Sequence, residues 1–319
     1  MTAIETAGAG VRDRLAGVTA VLVTPYRDAR VDERLTETLA RDVGSSGVHA
    51  IAALGNTAEV FQLTRDEQRA YLRAVARADA PALRIAGFAG AARSVLDEID
   101  YAASLGYEAA MVHEPADPFG DSEGVLTYYL SIAARSALPL VLYLRSPRLE
   151  FDSLRLVAAE PAVLGVKYAR ADLDTLGRVL RTEAAESCTW VNGGAEMRAA
   201  DFFDLGLTGF TSGIANVRPD LALAVHRALV DRDRAGLDAA LRDVVPVERI
   251  RATGNGKFNV AVLKELFRAQ GTDVGEVRPP HSPLSAEAAR ELRAAIAEWP
   301  PVSPADGSAT AAVAAVVGR

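Results

Sequence analysis

From Val18 onward the chain alternates short apolar runs with stretches whose apolar positions recur at helical spacing. Val18–Thr24 and Val48–Leu54 are runs of strand length, and between them Leu35, Leu39 and Val43 mark one helical face that ends at Gly44 and Gly47. Thr64-Arg-Asp-Glu67 has the form of a capping box, in which the Thr hydroxyl and the Glu carboxylate satisfy orphan N–H groups at a helix start. A third strand is predicted at Arg84–Phe88, a helix from Ser94 to Leu105 stopped by Gly106, and a fourth strand at Ala109–Val112. The rhythm continues with strands at Leu140–Tyr143, Val163–Lys167, Thr189–Asn192 and Gly209–Ser212, separated by helical stretches such as Phe151–Ala159 and Met197–Leu205. Alternation of this kind implies right-handed βαβ units and a parallel sheet. Eight such units suit a (β/α)8 TIM barrel, with an open doubly wound sheet as the competing arrangement.

The pattern changes at both ends. Residues 1–14 are small and polar and are expected to be a flexible tail, so the barrel is placed at 15–218. After Pro219 the strand-like runs stop, and Leu221–Val230, Ala235–Val244, Lys257–Ala269 and Ser285–Trp299 have helical periodicity. Residues 219–299 are therefore the last barrel helix and a C-terminal helical extension. The Pro-rich stretch from Pro300 and the Ala/Val residues after it have no packing period, so 300–319 is expected to be a disordered tail.

Composition narrows the function classes. The chain is 50% hydrophobic and 24% charged, with a net charge of −7, which speaks against a nucleic-acid partner. No apolar run reaches the roughly 18 to 20 residues of a membrane helix, and the first residues lack the apolar core of a signal peptide. The lone cysteine, Cys188, allows no intramolecular disulfide, and a cytoplasmic location is expected. The four histidines (His49, His113, His226, His281) are scattered without metal-ligand spacing, so no metal is expected. Of the 35 basic residues only Lys167, Lys257 and Lys264 are lysine. A position that stays Lys in so Arg-rich a chain is a candidate for amine chemistry, because arginine stays protonated and cannot serve as a Schiff-base nucleophile. For Lys257 and Lys264 the plain reading is drift, while the neighbours of Lys167 favour chemistry.

Barrel active sites lie at the C-terminal ends of the strands. Strand two runs into Gly55-Asn-Thr-Ala-Glu59, strand five ends on Tyr143, strand six on Lys167, strand seven runs into Asn192-Gly-Gly194, and strand eight ends on Thr211-Ser212-Gly213. A free lysine titrates near 10.4, so at pH 7 only about one in 2,500 is neutral. Burial disfavours the cation, and a downward shift of about three units is worth about 4 kcal/mol. Val163, Leu164 and Val166 supply an apolar setting. On neighbouring strands, an amine at Lys167 attacks a ketone while Tyr143 shuttles protons. The backbone N–H groups of Gly55-Asn-Thr57 and Gly193-Gly194 are candidates to hold a carboxylate or phosphate.

These residues carry a resemblance to the dihydrodipicolinate synthase / N-acetylneuraminate lyase family of Schiff-base enzymes, from about Leu15 to Trp299. Gly17–Tyr26 looks like the family's opening strand, and Gly55-Asn-Thr-Ala-Glu59 corresponds to its Gly-Thr-Thr-Gly-Glu signature. Tyr143 before Pro147, Gly165-Val-Lys-Tyr-Ala169, Gly209–Asn216 and Val277-Arg-Pro-Pro280 follow in the right order. The resemblance implies a Schiff base on Lys167, a proton relay through Tyr143, a substrate carboxylate held at Gly55, Asn56 and Thr57, and a pocket lined by Gly194, Thr211 and Ser212. It also implies that Arg148 or Arg145 binds the distal end of the substrate, that the covalent imine takes the place of a cofactor, and that the chain forms a homo-oligomer, a tetramer or dimer.

The departures bear on the substrate. Asn56 stands where the family has a relay threonine, and Ala58 replaces a signature glycine. After strand four, His113-Glu-Pro-Ala-Asp-Pro-Phe119 lacks the family's paired tyrosines, while Tyr128 and Tyr129 fall in the next helix and are expected to pack. The resemblance thus implies a lyase acting on pyruvate or a 2-keto-3-deoxy sugar acid, by aldol cleavage, condensation or dehydration. The alternatives are an enzyme like 5-dehydro-4-deoxyglucarate dehydratase, a 4-hydroxy-tetrahydrodipicolinate synthase, and a non-catalytic 2-oxo acid binding protein.

Overall fold

The computed structural model describes residues 3–297 and 299. Eight parallel strands close on themselves: β1 (Val18–Val21), β2 (Ala50–Ala53), β3 (Leu83–Phe88), β4 (Ala109–His113), β5 (Leu140–Leu144), β6 (Val163–Tyr168), β7 (Thr189–Asn192) and β8 (Gly209–Ser212). Each pairs with the next, and β8 returns to β1 through Val18↔Phe210 and Thr19↔Thr211. Closure removes both sheet edges and rules out the open-sheet alternative. A two-stranded ribbon, Tyr26–Arg27 with Arg30–Val31, follows β1.

The helices start where side chains can cap them. Ahead of α2 (Glu33–Gly44), the Asp32 carboxylate accepts from the Leu35 N–H. The capping box opens α3 (Arg65–Arg77), with Thr64 and Glu67 bonding reciprocally. α4 (Ala92–Ser104), α5 (Ser122–Ala133), α6 (Phe151–Ala158), α7 (Leu173–Val179), α8 (Glu183–Glu186) and α9 (Ala199–Asp204) continue the ring. Between helices and strands lies an outer core that includes the fully buried Tyr71, Tyr129, Tyr168, Phe202 and Phe210. A separate inner core fills the barrel with Val21, Ile85, Met111, Val141 and Val191. Tyr129 and Tyr128 thus pack, as expected, and the Tyr128 hydroxyl also donates to the Gly90 carbonyl.

The expected N-terminal tail is instead a helix, α1 (Ala3–Leu15). Val11 and Leu15, one turn apart, are 3% and 2% exposed and join the inner core at the barrel floor. Full burial of one such side chain is worth about 1.5–3 kcal/mol. Two glycines make room: a Cβ on Gly165 would lie 2.8 Å from Leu15 Cδ1, and one on Gly209 would lie 2.2 Å from the Leu15 carbonyl oxygen. With only two apolar anchors in a small-residue stretch, the periodicity is too thin to read from the sequence.

After β8, α10 (Pro219–Val230) completes the ring, with proline at its first turn, where no N–H is needed. α11 (Arg234–Gly256), α12 (Ala261–Ala269) and α13 (Ala286–Ala297) form the helical extension. α11 runs well past the predicted end at Val244, through Pro246, and breaks only where Thr253 is extended and Gly254 and Asn255 turn left-handed. Its later turns lie over the barrel mouth. The expected disordered tail at 300–319 lies outside the described residues.

Candidate active site

The C-terminal ends of the strands open into a cavity of about 980 Å³. Lys167 and Tyr143 are register partners on adjacent strands. Both are buried, at 5% and 6% exposure, and both line the cavity. The Lys167 Nζ sits 4.1 Å from the centre of the Tyr143 ring. Burial, with added repulsion from the Arg145 and Arg251 cations, pulls the Lys167 amine down to about 7. Burial first of all also pushes the Tyr143 phenol up, so it stays protonated. Asn56 Nδ2 donates to the Tyr143 oxygen at 3.2 Å, leaving the phenolic proton free to be donated elsewhere.

The loop that follows β2 is built by strain. Leu54, with φ of 54°, turns the chain out of β2, and Asn56–Ala58 form a single 3₁₀ turn. The N–H groups that open such a turn have no partner inside it. Thr57 is 5% exposed and lines the cavity with Asn56. Gly55 stands behind them, where a Cβ would lie 2.5 Å from Val21 Cγ1. Glu59 ends the loop with φ of 59° and is wholly buried. Its carboxylate pairs with Lys264 Nζ at 2.9 Å and accepts from the Arg278 N–H at 2.7 Å. Lys264 is therefore a buried structural cation, and no local sequence pattern announces it.

The Gly193-Gly194 segment does not offer free amides. The Gly193 N–H donates to the Tyr168 carbonyl at 2.8 Å and the Gly194 N–H to Asn192 Oδ1 at 2.6 Å. Gly194 lines the cavity, but Gly193 makes the close approach, since a Cβ there would lie 3.1 Å from Lys167 Cγ. Thr211 and Ser212 also line the cavity, and the Ser212 hydroxyl accepts from the Ala215 N–H at 2.9 Å.

The two arginines after β5 differ. Arg148 is committed to the loop after β4, donating to the carbonyls of Asp117 and Pro115 at 2.6 Å each. Arg145 stands exposed on the cavity wall, and its charge reaches both Lys167 and Tyr143. Of the two, Arg145 is placed to meet a ligand.

Four groups escaped the sequence reading. His113, at the end of β4, is 3% exposed and packs edge-on against Tyr143 with ring centres 5.1 Å apart. It was missed because no motif surrounds it. Glu248 and Arg251 come from α11, far along the chain, and form a buried ion pair at the cavity. Arg251 also packs on Gly213, where a Cβ would lie 2.3 Å from its Nη2. Glu196, behind the Gly193–Ala195 loop, is a buried carboxyl beside Glu248. Among the described residues, no three His, Cys, Asp or Glu side chains gather as a metal-ion donor set.

A closed parallel barrel with a buried amine and a buried phenol at its mouth has the form of a (β/α)8 barrel enzyme. Residues 14–299 match the dihydrodipicolinate synthetase family, and the chain belongs to it, as an enzyme of its lyase and dehydratase group. It is 30% identical over 282 residues to a probable 5-dehydro-4-deoxyglucarate dehydratase of Streptomyces coelicolor, covering 85% of this chain and 88% of that one. It is 29% identical over 299 residues to a 4-hydroxy-tetrahydrodipicolinate synthase of Mycolicibacterium paratuberculosis, covering 91% and 97%. The dihydrodipicolinate synthase of Bacillus clausii superposes with a TM-score of 0.86 at 29% identity, covering 91% and 99%. No helix among the described residues is long and apolar enough to cross a membrane.

Proposed function

We propose that the protein converts a 2-oxo acid, of the 2-keto-3-deoxy sugar acid type, through a Schiff base on Lys167. The observation that carries this reading is the buried Lys167 amine, held near neutrality beside the Tyr143 phenol in an open cavity. The neutral amine adds to the ketone carbon, and Tyr143 donates its proton to the carbinolamine oxygen, which leaves as water. The iminium then withdraws electrons from the adjacent carbon, and an enamine forms. The Gly55–Thr57 turn receives the substrate carboxylate and Arg145 its far end. The covalent imine takes the place of a cofactor.

Dehydration like that named for the Streptomyces relatives is the more specific reading. It is favoured by Asn56, whose amide, unlike the family's threonine hydroxyl, cannot pass a proton along to Tyr143. A cytoplasmic homo-oligomer belongs to the same proposal. Borohydride reduction in the presence of pyruvate or a keto-deoxy sugar acid, followed by peptide mass mapping, tests the imine. The expected result is a secondary amine on Lys167 and its loss in Lys167→Ala. An unmodified Lys167 across a panel of 2-oxo acids would overturn the mechanism, and ligand binding without turnover would leave only a binding protein.

A further inference from the structure

His113, Tyr143 and Lys167 form one row across three adjacent strands: His113↔Tyr143 between β4 and β5, and Tyr143↔Lys167 between β5 and β6. All three line the same cavity. The Lys167 Nζ lies 4.1 Å from the Tyr143 ring centre on one side and the His113 ring 5.1 Å from it on the other. Tyr143 thus stands between the amine and the imidazole in the row.

The His113 ring has an unmet valence. It is 3% exposed, and its Nε2 has no hydrogen-bond partner. Burial, then the Lys167 charge, pushes the imidazole down to about 3, against a weaker opposite pull from the Leu54 backbone. A neutral imidazole has one N–H and one bare nitrogen. A second bare acceptor lies at the Tyr143 hydroxyl: Asn56 gives its Nδ2 to the phenol, while its buried Oδ1 has no partner. Buried acceptors without donors are costly, and two in one cavity call for a ligand with hydroxyl groups. Phe61 stands beside the imidazole: its ring meets His113 edge-on at 5.6 Å yet is 56% exposed at the cavity rim.

We propose that His113 reads a substrate hydroxyl: with Phe61 swung aside, its Nε2 accepts a hydrogen bond from a hydroxyl on the carbon chain of a 2-oxo acid held on Lys167. Asn56 Oδ1 accepts from a second hydroxyl. The site thereby selects polyhydroxylated 2-oxo acids over pyruvate. This rests on the Lys167 imine proposed above. In a retro-aldol step the accepted hydroxyl is the one whose proton leaves: the C3–C4 bonding pair moves into the iminium to give the enamine, C4 becomes a carbonyl, and the proton passes to the Tyr143 phenolate left by loss of water from the carbinolamine, while His113 only orients the hydroxyl.

The test is a trapping ratio, borohydride capture of a 2-keto-3-deoxy sugar acid relative to capture of pyruvate, measured in the wild type, His113→Phe and His113→Gln. Phenylalanine fills the space without an acceptor, while the glutamine amide oxygen replaces Nε2. The ratio is expected to fall roughly tenfold or more in His113→Phe and to return in His113→Gln. A ratio unchanged in His113→Phe, or lost equally in both variants, would overturn the hydroxyl contact. A wild type that traps neither compound fails at the imine itself, so the two failures are told apart.

Discussion

The Lys167 amine lies over the face of the Tyr143 ring, 4.1 Å from its centre, with no carboxylate paired to it among the described residues. The ring and the hydroxyl of Tyr143 do different work: one covers the amine, the other moves protons. Tyr143→Phe keeps the ring and removes only the hydroxyl. Turnover is expected to fall roughly 100- to 10,000-fold, in the range of a lost general acid–base group. The pH midpoint of imine trapping is expected to stay near that of the wild type, because the cover is retained. A phenylalanine variant with full turnover would remove Tyr143 from the chemistry.

The second prediction concerns that midpoint. The free-amine fraction of Lys167 rises with pH through about 7. Trapping by a saturating 2-oxo acid should therefore be about tenfold slower at pH 6 than at pH 8. Burial is the main cause of the low value, and the Arg145 cation comes next. In Arg145→Gln one repulsive charge is gone, the ammonium form is less disfavoured, and the midpoint should move upward. Trapping rates from pH 5.5 to 9.5 in both proteins measure the shift, and a midpoint that stays put would mean that burial and Arg251 suffice.

What was legible in the sequence and what was not divides along contact range. All eight strands were readable because each is a short apolar run bounded by helical periodicity, and Lys167 and Tyr143 were readable because they end such runs. His113 ends a run as well, but a histidine without a partner motif has no local signal, and its meaning comes from Tyr143 on the next strand. Arg251 and Glu248 reach the cavity only because α11 folds back across the barrel mouth. The choice between Arg145 and Arg148 was likewise set by distant carbonyls, those of Pro115 and Asp117. In the first helix, two anchors are too few to outweigh a polar composition, and the glycines that seat Leu15, Gly165 and Gly209, lie far along the chain.

The three lysines make a third prediction. Lys264 is as buried as Lys167, but it faces Glu59 at 2.9 Å and donates to the Glu276 carbonyl at 3.0 Å. Removing one partner of a buried pair leaves an uncompensated charge, at a cost of about 3–5 kcal/mol. Lys264→Met should destabilise the fold by that order in urea denaturation. Because Glu59 anchors the left-handed end of the Gly55–Thr57 turn, KM for the 2-oxo acid should also rise. A variant as stable as wild type would show that Glu59 is held by Arg278 alone.

The fourth prediction separates a buried acid from the catalytic amine. Burial, reinforced by the neighbouring Glu248 carboxylate, raises the Glu196 carboxyl above the ordinary carboxylate range, against smaller pulls from Ser212 and Arg251. The folded chain then keeps a proton that the unfolded chain has released, so this group lowers stability as pH rises from the ordinary carboxylate range through its raised value. Lys167 works in the opposite sense: its lowered value means that the unfolded chain binds the extra proton, and stability grows with pH above about 7. The two slopes overlap in the wild type but separate in a difference measurement. Glu196→Gln keeps the shape, carries no charge, and leaves the Lys167 slope in place. Relative to wild type it should gain more stability at pH 9 than at pH 5.5, as read from urea midpoints at the two pH values. An equal difference at both would mean that Glu196 titrates as an ordinary carboxylate and that the Arg251 guanidinium, shared with Glu248, neutralises it as well.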